Sequence, residues 1–263
     1  MTVHAVAPKA EPHGHAALPW RTQVAIFVRL LAIQGAWNFE TLLGNGVGFS
    51  VEPALRLLPT GVHSPEFKEA LARESRYFNA HPYLASVAVG ALARAELDGE
   101  NPERIERFRT ALCGPLGAVG DRLIWAGWLP FCSLLALAVF GLGGGPLLVL
   151  TVFLGTYNIG HFGLRAWGLR TGWVNGLHVA SALGHPVLRR GPQQIGRLAA
   201  LATGIAIPLA LHRVIGPGRV LIGGVLVSVI VGALLLVRLN QRIDGWRLAL
   251  AMLVVFALFS VLH

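Results

Sequence analysis

The sequence predicts an all-α integral membrane protein, and three observations carry that prediction. Only 13% of the 263 residues are charged, where soluble domains carry roughly 25%. Apolar residues make up 54% of the chain and concentrate after Gly120. In that half they form long segments bounded by Gly, Pro and Arg, whereas in the half before it no apolar run reaches the roughly 20 residues that a straight span needs. The chain therefore divides into a tail over 1–19, a region of broken and amphipathic helices over 20–120, and a transmembrane helical region over 121–263.

Residues 1–19 are rich in Ala, Pro and His and contain no apolar core of a signal peptide, so they predict a disordered cytoplasmic tail with His4, His13 and His15 in solvent. From Trp20 to Leu58 apolar stretches such as Ala25–Val28 and Leu30–Ile33 are interrupted by Gln34-Gly35 and Gly44-Asn45-Gly46. Broken or re-entrant helices follow, since irregular backbone is tolerated at membrane depth where protein or a water-filled cavity satisfies it.

Between residues 64 and 112 the signals are those of short helices that need no lipid. Ser64-Pro65-Glu66 and Asn101-Pro102-Glu103 each supply an N-cap, a proline in the first turn and an early acid. In the second of these helices Ile105, Phe108 and Leu112 share a face, while Glu103 and Arg107 are spaced to pair on another. His81 to Leu97 is rich in small residues, and Ser86 and Gly90, four apart, suit close helix packing.

Five apolar segments follow Asp121: Leu123–Leu142, Pro146–Leu164, Ile195–Ile215, Val220–Leu239 and Trp246–Leu262. They predict four to five spans. The stretch from Trp167 to Leu188 holds Asn175, His178 and His185 and is weaker, fitting an amphipathic or re-entrant piece. Arginines flank both sides of the Val220–Leu239 segment, so the positive-inside rule leaves orientation open.

The formal charge of +9 excludes little by itself. Its arginines, among them Arg189, Arg190, Arg197, Arg213, Arg219, Arg238 and Arg242, are dispersed between apolar stretches as headgroup anchors. A nucleic-acid binder would gather them on one face, so nucleic acid is not an expected partner and the bilayer is. Cys113 and Cys132 form no CxxC motif, and the histidines lack metalloenzyme spacing. No metal, cofactor or catalytic centre is expected on this chain.

Polar side chains at membrane depth are costly, and their default reading is a pathway or binding residue. Three groups meet that condition. Gln34, Trp37, Asn38 and Glu40 combine directed hydrogen-bonding groups with an aromatic face suited to the C–H face of a sugar ring, or alternatively satisfy the backbone of a broken helix. Asn79 and His81 stand at a helix junction before Pro82, where helix capping is the competing role. Asp121 follows the glycine-rich run Gly114–Gly120 and precedes a helix carrying Trp125 and Trp128, so it is either a site residue or a plain N-cap. Asn158, His161, His178 and His185 make a looser fourth set.

Taken in order, these motifs resemble the IID subunit of the mannose/fructose/sorbose family of bacterial phosphoenolpyruvate-dependent phosphotransferase system (PTS) sugar permeases. The resemblance runs through Gln34-Gly35-Ala36-Trp37-Asn38-Phe39-Glu40, Phe78-Asn79-Ala80-His81-Pro82, Gly114-Pro115-Leu116 with Gly120-Asp121 and Trp125, and Tyr157-Asn158-Ile159-Gly160-His161 with Arg165 and Gly168. It implies a multi-pass protein of the bacterial inner membrane that forms a hetero-oligomer with a IIC subunit. Together they would move a sugar that IIA and IIB subunits phosphorylate, with no phosphorylated histidine on IID itself. Ala36 stands where the family often has Ser, Ala80 where it often has Thr, and Arg122 where a small or apolar residue is usual. These departures leave a second reading, a non-transporting scaffold or regulatory subunit of the same fold.

Overall fold

A computed structural model of the chain describes residues 18–179 and 186–215. Among these residues every named element is helical, and the only β-type contacts are the isolated bridges Asn38–Leu42 and Leu42–Phe78.

Helix α1 (Trp20–Leu31) turns Ile26 and Leu30 inward and ends at a series of tight turns over 32–43. Helix α2 (Gly44–Leu55) returns alongside it, pinned by Arg29, which pairs with Glu52 at 2.6 Å and lies over the Phe49 ring. Neither helix has the length of a span. The expected break in this region is present, as two short helices around an irregular loop.

Helix α3 (Pro65–Glu74) starts where the local signals place it, with the Ser64 hydroxyl accepting from the Phe67 N–H at 3.1 Å. Helix α5 (Pro102–Leu112) starts likewise, its Asn101 side chain accepting from the Glu103 N–H at 2.8 Å. Ile105 and Leu112 are buried as their spacing predicts. The expected Glu103–Arg107 pair is not among those formed: Arg104 reaches Glu100 at 2.7 Å, and Arg109 turns inward to Glu74 at 2.5 Å. Glu103 and Arg107 are both exposed, where such a pair gains only a few tenths of a kcal/mol, whereas the fully buried Glu74 carboxylate must be paired and draws Arg109 inward.

Helix α4 (Ala85–Leu97) is the centre of the fold, buried from Ala85 through Ala93. Across it runs α8 (Pro146–Asn175). Their crossing is as close as Ser86 and Gly90 predict: a Cβ on Gly90 would collide with the Leu169 carbonyl, and one on Gly168 with the Ser86 hydroxyl. Small residues of this kind let two helix backbones approach closely.

Gly114, at φ +75°, turns the chain into α6 (Pro115–Gly120), which continues without a break into a π-helical segment (Asp121–Trp128) and then α7 (Leu129–Gly141). Helix α9 (Pro186–Ile215) packs on α7 and on the π-helical segment. Three stretches are long and apolar enough to cross a membrane: Pro102–Gly141, Pro146–Val179 and Leu188–Val214. At 1.5 Å per residue, the 30 residues of α8 extend about 45 Å.

The beginning of the weaker Trp167–Leu188 stretch is continuous helix up to Asn175, the end of α8. The low hydropathy of the stretch reflects Arg170, Asn175, His178 and His185, while Gly168 and Gly172 pack closely on α4. The segments Val220–Leu239 and Trp246–Leu262 lie outside the described residues, as does the tail up to residue 17.

Candidate functional site

The three groups of polar residues singled out in the sequence belong to one contiguous region. The loop after α1 hydrogen-bonds to the strand-like segment before α4, with Leu43 N–H donating to the Phe78 carbonyl at 3.0 Å and Phe78 N–H to the Thr41 carbonyl at 3.1 Å. The next residue, Asn79, meets the glycine-rich run: its N–H faces Cys113 Sγ at 3.4 Å, and its carbonyl accepts from the Gly114 N–H at 3.3 Å. Residues 34–43, 77–83 and 113–125 are thus tied together by backbone.

Within the loop, Asn38 is the organiser. Its Oδ1 accepts from the N–H groups of Glu40 and Thr41, both at 2.9 Å, and its Nδ2 donates to Thr41 Oγ1 at 2.9 Å and to the Ala36 carbonyl. This Asx turn satisfies backbone that neither helix covers. Gln34, Trp37 and Glu40 project outward, Trp37 being 46% exposed and packed edge-on against Phe39.

His81 is the opposite case, 1% exposed. Its Nδ1 accepts from the Tyr83 N–H at 3.2 Å and its carbonyl from Ala85 N–H, so it organises the approach to α4. Its Nε2 is buried with no hydrogen-bond partner among the described residues. The ring lies 5.1 Å from Trp125 and against Gly120, where a Cβ would collide with it. Burial first, and the Arg165 charge second, lower its pKa to about 4, so it is neutral at ordinary pH.

Asp121 does not start a helix. It sits where α6 passes into the π-helical segment, with helical backbone on both sides and no side-chain cap bond. The helix begins six residues earlier because Pro115 follows the left-handed Gly114, a stronger start than an acid inside a regular run. Asp121 and Trp125 are both exposed, one turn apart on the π-helical segment.

Behind His81 lies a cluster that the first three groups do not contain. The hydroxyls of Tyr83 and Tyr157 are 2.6 Å apart, Trp128 Nε1 donates to the Tyr157 carbonyl at 3.3 Å, and the His161 ring stacks on Tyr83 at 4.3 Å. Arg165, 2% exposed, donates from Nε to His161 Nε2 at 2.9 Å and from Nη1 to the Leu30 carbonyl at the end of α1. Its guanidinium lies over the Tyr83 ring. No carboxylate is within ion-pair range of Arg165 among the described residues. His161 and Asn158 belong to the looser fourth set of the sequence, which the fold places next to the others; His178 is on the 3₁₀ turn beyond α8, and His185 lies outside the described residues. Tyr83 carries no sequence signal beyond its place two residues after His81.

The fold and this arrangement define a membrane-embedded helical protein with one polar and aromatic surface built from several motifs. A family model for the PTS mannose/fructose/sorbose family IID component matches residues 18–196. The chain belongs to that family, and its function is that of a IID component of a PTS sugar permease. It is 28% identical over 204 residues to the mannose-specific EIID component of Escherichia coli K12, covering 72% of this chain and 70% of that one. It is 29% identical over 208 residues to the fructose permease IID component of Bacillus subtilis, covering 72% of each, and 28% identical over 192 residues to the sorbose-specific EIID component of Klebsiella pneumoniae, covering 70% and 68%. A chain from the cryo-EM structure of the mannose transporter ManYZ with microcin E492 superposes with a TM-score of 0.57 at 20% identity, covering 94% of this chain and 98% of that one. A second solved membrane protein gives 0.66 at 22% identity with the same coverage. At these identities the two structures establish the fold.

Proposed function

We propose that this chain forms, with a IIC subunit, the membrane path for a hexose that IIA and IIB subunits phosphorylate on the cytoplasmic face. The assembly is a hetero-oligomer in the bacterial inner membrane, and this chain contributes four to five spans. The observation that carries the reading is the exposure of Gln34, Trp37, Glu40, Asn79, Asp121 and Trp125 on segments hydrogen-bonded or packed against one another. Such residues are costly on a membrane protein unless they meet water, substrate or a partner. Amides and carboxylates accept and donate to ring hydroxyls, and the two indoles offer faces to the C–H side of a pyranose.

Asn38 and His81 belong to the same site as its framework. Asn38 holds the loop that presents Trp37 and Glu40, and His81 packs beneath Trp125. The hexose class comes from the substrates named for the relatives: mannose, fructose and sorbose. No observation favours the non-transporting scaffold over this reading.

The test is phosphoenolpyruvate-dependent accumulation of a panel of hexoses and amino sugars in cells carrying this chain with its IIC, IIA and IIB partners. Accumulation that requires the chain and falls with Asp121→Ala is the expected result. No accumulation of any sugar, despite a stable complex with IIC, would overturn it.

A further inference from the structure

Arg165 is a buried cation on a membrane-spanning helix, and its hydrogen bonds run in one direction. Asn158 Nδ2 donates to the Leu154 carbonyl at 2.8 Å, which fixes its Oδ1 as an acceptor 3.3 Å from His161 Nδ1. A guanidinium can only donate, so His161 Nε2 must accept from Arg165 Nε. His161 is therefore the neutral tautomer with its proton on Nδ1, given to Asn158. The orientation of Arg165 is then set, and its Nη1 is aimed at the Leu30 carbonyl in the last turn of α1, which also accepts from the Ile33 N–H at 3.3 Å and uses its second lone pair for Arg165. Cations at this end of a helix are favoured by its dipole as well as by the hydrogen bond.

Four residues beyond Leu30 the loop with Gln34, Trp37 and Glu40 begins. Leu30 and Ile33 are fully buried, so the end of α1 is the loop's anchor. We propose that Asn158, His161 and Arg165 form a positioning relay that fixes the end of α1 from across the fold and so holds the 34–40 loop in its binding geometry. The three residues touch no substrate; they act through Leu30. This inference rests on the proposed role of the loop in the sugar path.

Two readouts on the full complex in its native membrane separate the two ideas. The first is the maleimide labelling rate of Ile33→Cys, a fully buried position at the end of α1, in a chain whose Cys113 and Cys132 are replaced by Ala. His161→Leu and Arg165→Ala raise that rate by about fivefold or more, His161→Gln leaves it within about twofold because the Gln carbonyl still accepts from Arg165 Nε, and Arg165→Lys fails to rescue because one ammonium cannot form both planar bonds. The second is hexose uptake, where His161→Leu raises the apparent KM about tenfold with little change in maximal rate, the size of one lost positioned contact. Unchanged labelling in both His161→Leu and Arg165→Ala overturns the relay. Faster labelling with unchanged uptake keeps the relay and refutes the loop's part in the sugar path.

Discussion

Tyr83 and Tyr157 share a hydrogen bond of 2.6 Å between hydroxyls 74 residues apart in sequence, and it ties the approach to α4 onto the middle of α8. Around it the Tyr83 ring stacks on His161 and receives the Arg165 guanidinium on its face. Removing one hydroxyl leaves the other part-buried and unpaired. Each of Tyr83→Phe and Tyr157→Phe therefore costs on the order of 1–2 kcal/mol, and the double variant costs less than their sum. Thermal unfolding in detergent across the four-member cycle measures this, and strict additivity would show that the bond contributes nothing.

The crossing of α4 and α8 tolerates no side chain at its tightest points. Gly90→Val places its branches against the Leu169 carbonyl and the Trp173 backbone, neither of which can yield as a flexible side chain would. The variant is expected to lose its monodisperse peak on size exclusion after extraction, whereas Gly155→Val, on a part of α8 where a Cβ meets nothing, keeps it.

Glu74 and Arg109 are both fully buried, and the consequences of removing them differ. Burial pushes the Glu74 carboxyl upward, against the pull of Arg109, so Glu74 can become neutral when its partner is lost. Arg109 has no such escape. Glu74→Ala leaves its guanidinium with the Arg76 and residue-74 carbonyls and a longer contact to the half-buried Glu106 carboxylate at 3.8 Å, at a cost of about 3 kcal/mol. Arg109→Met costs less. Denaturation of the two variants side by side gives the order, and the reverse order would contradict it.

His81 links stability to pH with a definite sign. Its pKa falls from the ordinary 6.5 to about 4 in the folded protein. Below 6.5 the unfolded chain binds a proton that the native state refuses, so stability is fully present above about pH 6.5 and declines as pH falls toward 4. Replacing His81 with Gln removes that slope. Melting temperatures of both proteins between pH 4 and 7.5 read it directly, and parallel curves would assign the acid sensitivity to other groups.

Local chemistry made much of this fold legible. Ser64 and Asn101 cap helices because a short polar side chain next to Pro needs only its own backbone to act. Ser86 and Gly90 announced a close crossing because small residues four apart have few other uses in an apolar helix. Asp121 left two readings open for the same local reason: an acid after a glycine-rich run also fits a cap, and only the continuous helix from Pro115 removes that role. The relay from Asn158 to Arg165 was half visible, since its members recur at helical spacing, but its target Leu30 lies 135 residues away and is a backbone carbonyl, which no sequence pattern marks. The inward turn of Arg109 was hidden likewise, because its partner Glu74 lies 35 residues away on another helix.

The eight π-helical residues between α6 and α7 change the phase of one continuous rod. Before them Gly120 faces His81; within them Gly127 faces Ile195; beyond them Gly141 faces Leu209. A wider turn takes up residues without advancing the angular register of an α-helix, which is why such segments behave as insertions. Deleting one residue there would restore regular winding and rotate α7 by about 100°. Cys132 and Ala136 would swing away from the interior while the end nearer His81 stayed in place. The segment thus lets a single helix address the polar surface at one end and α9 at the other, with each end set to its own angle.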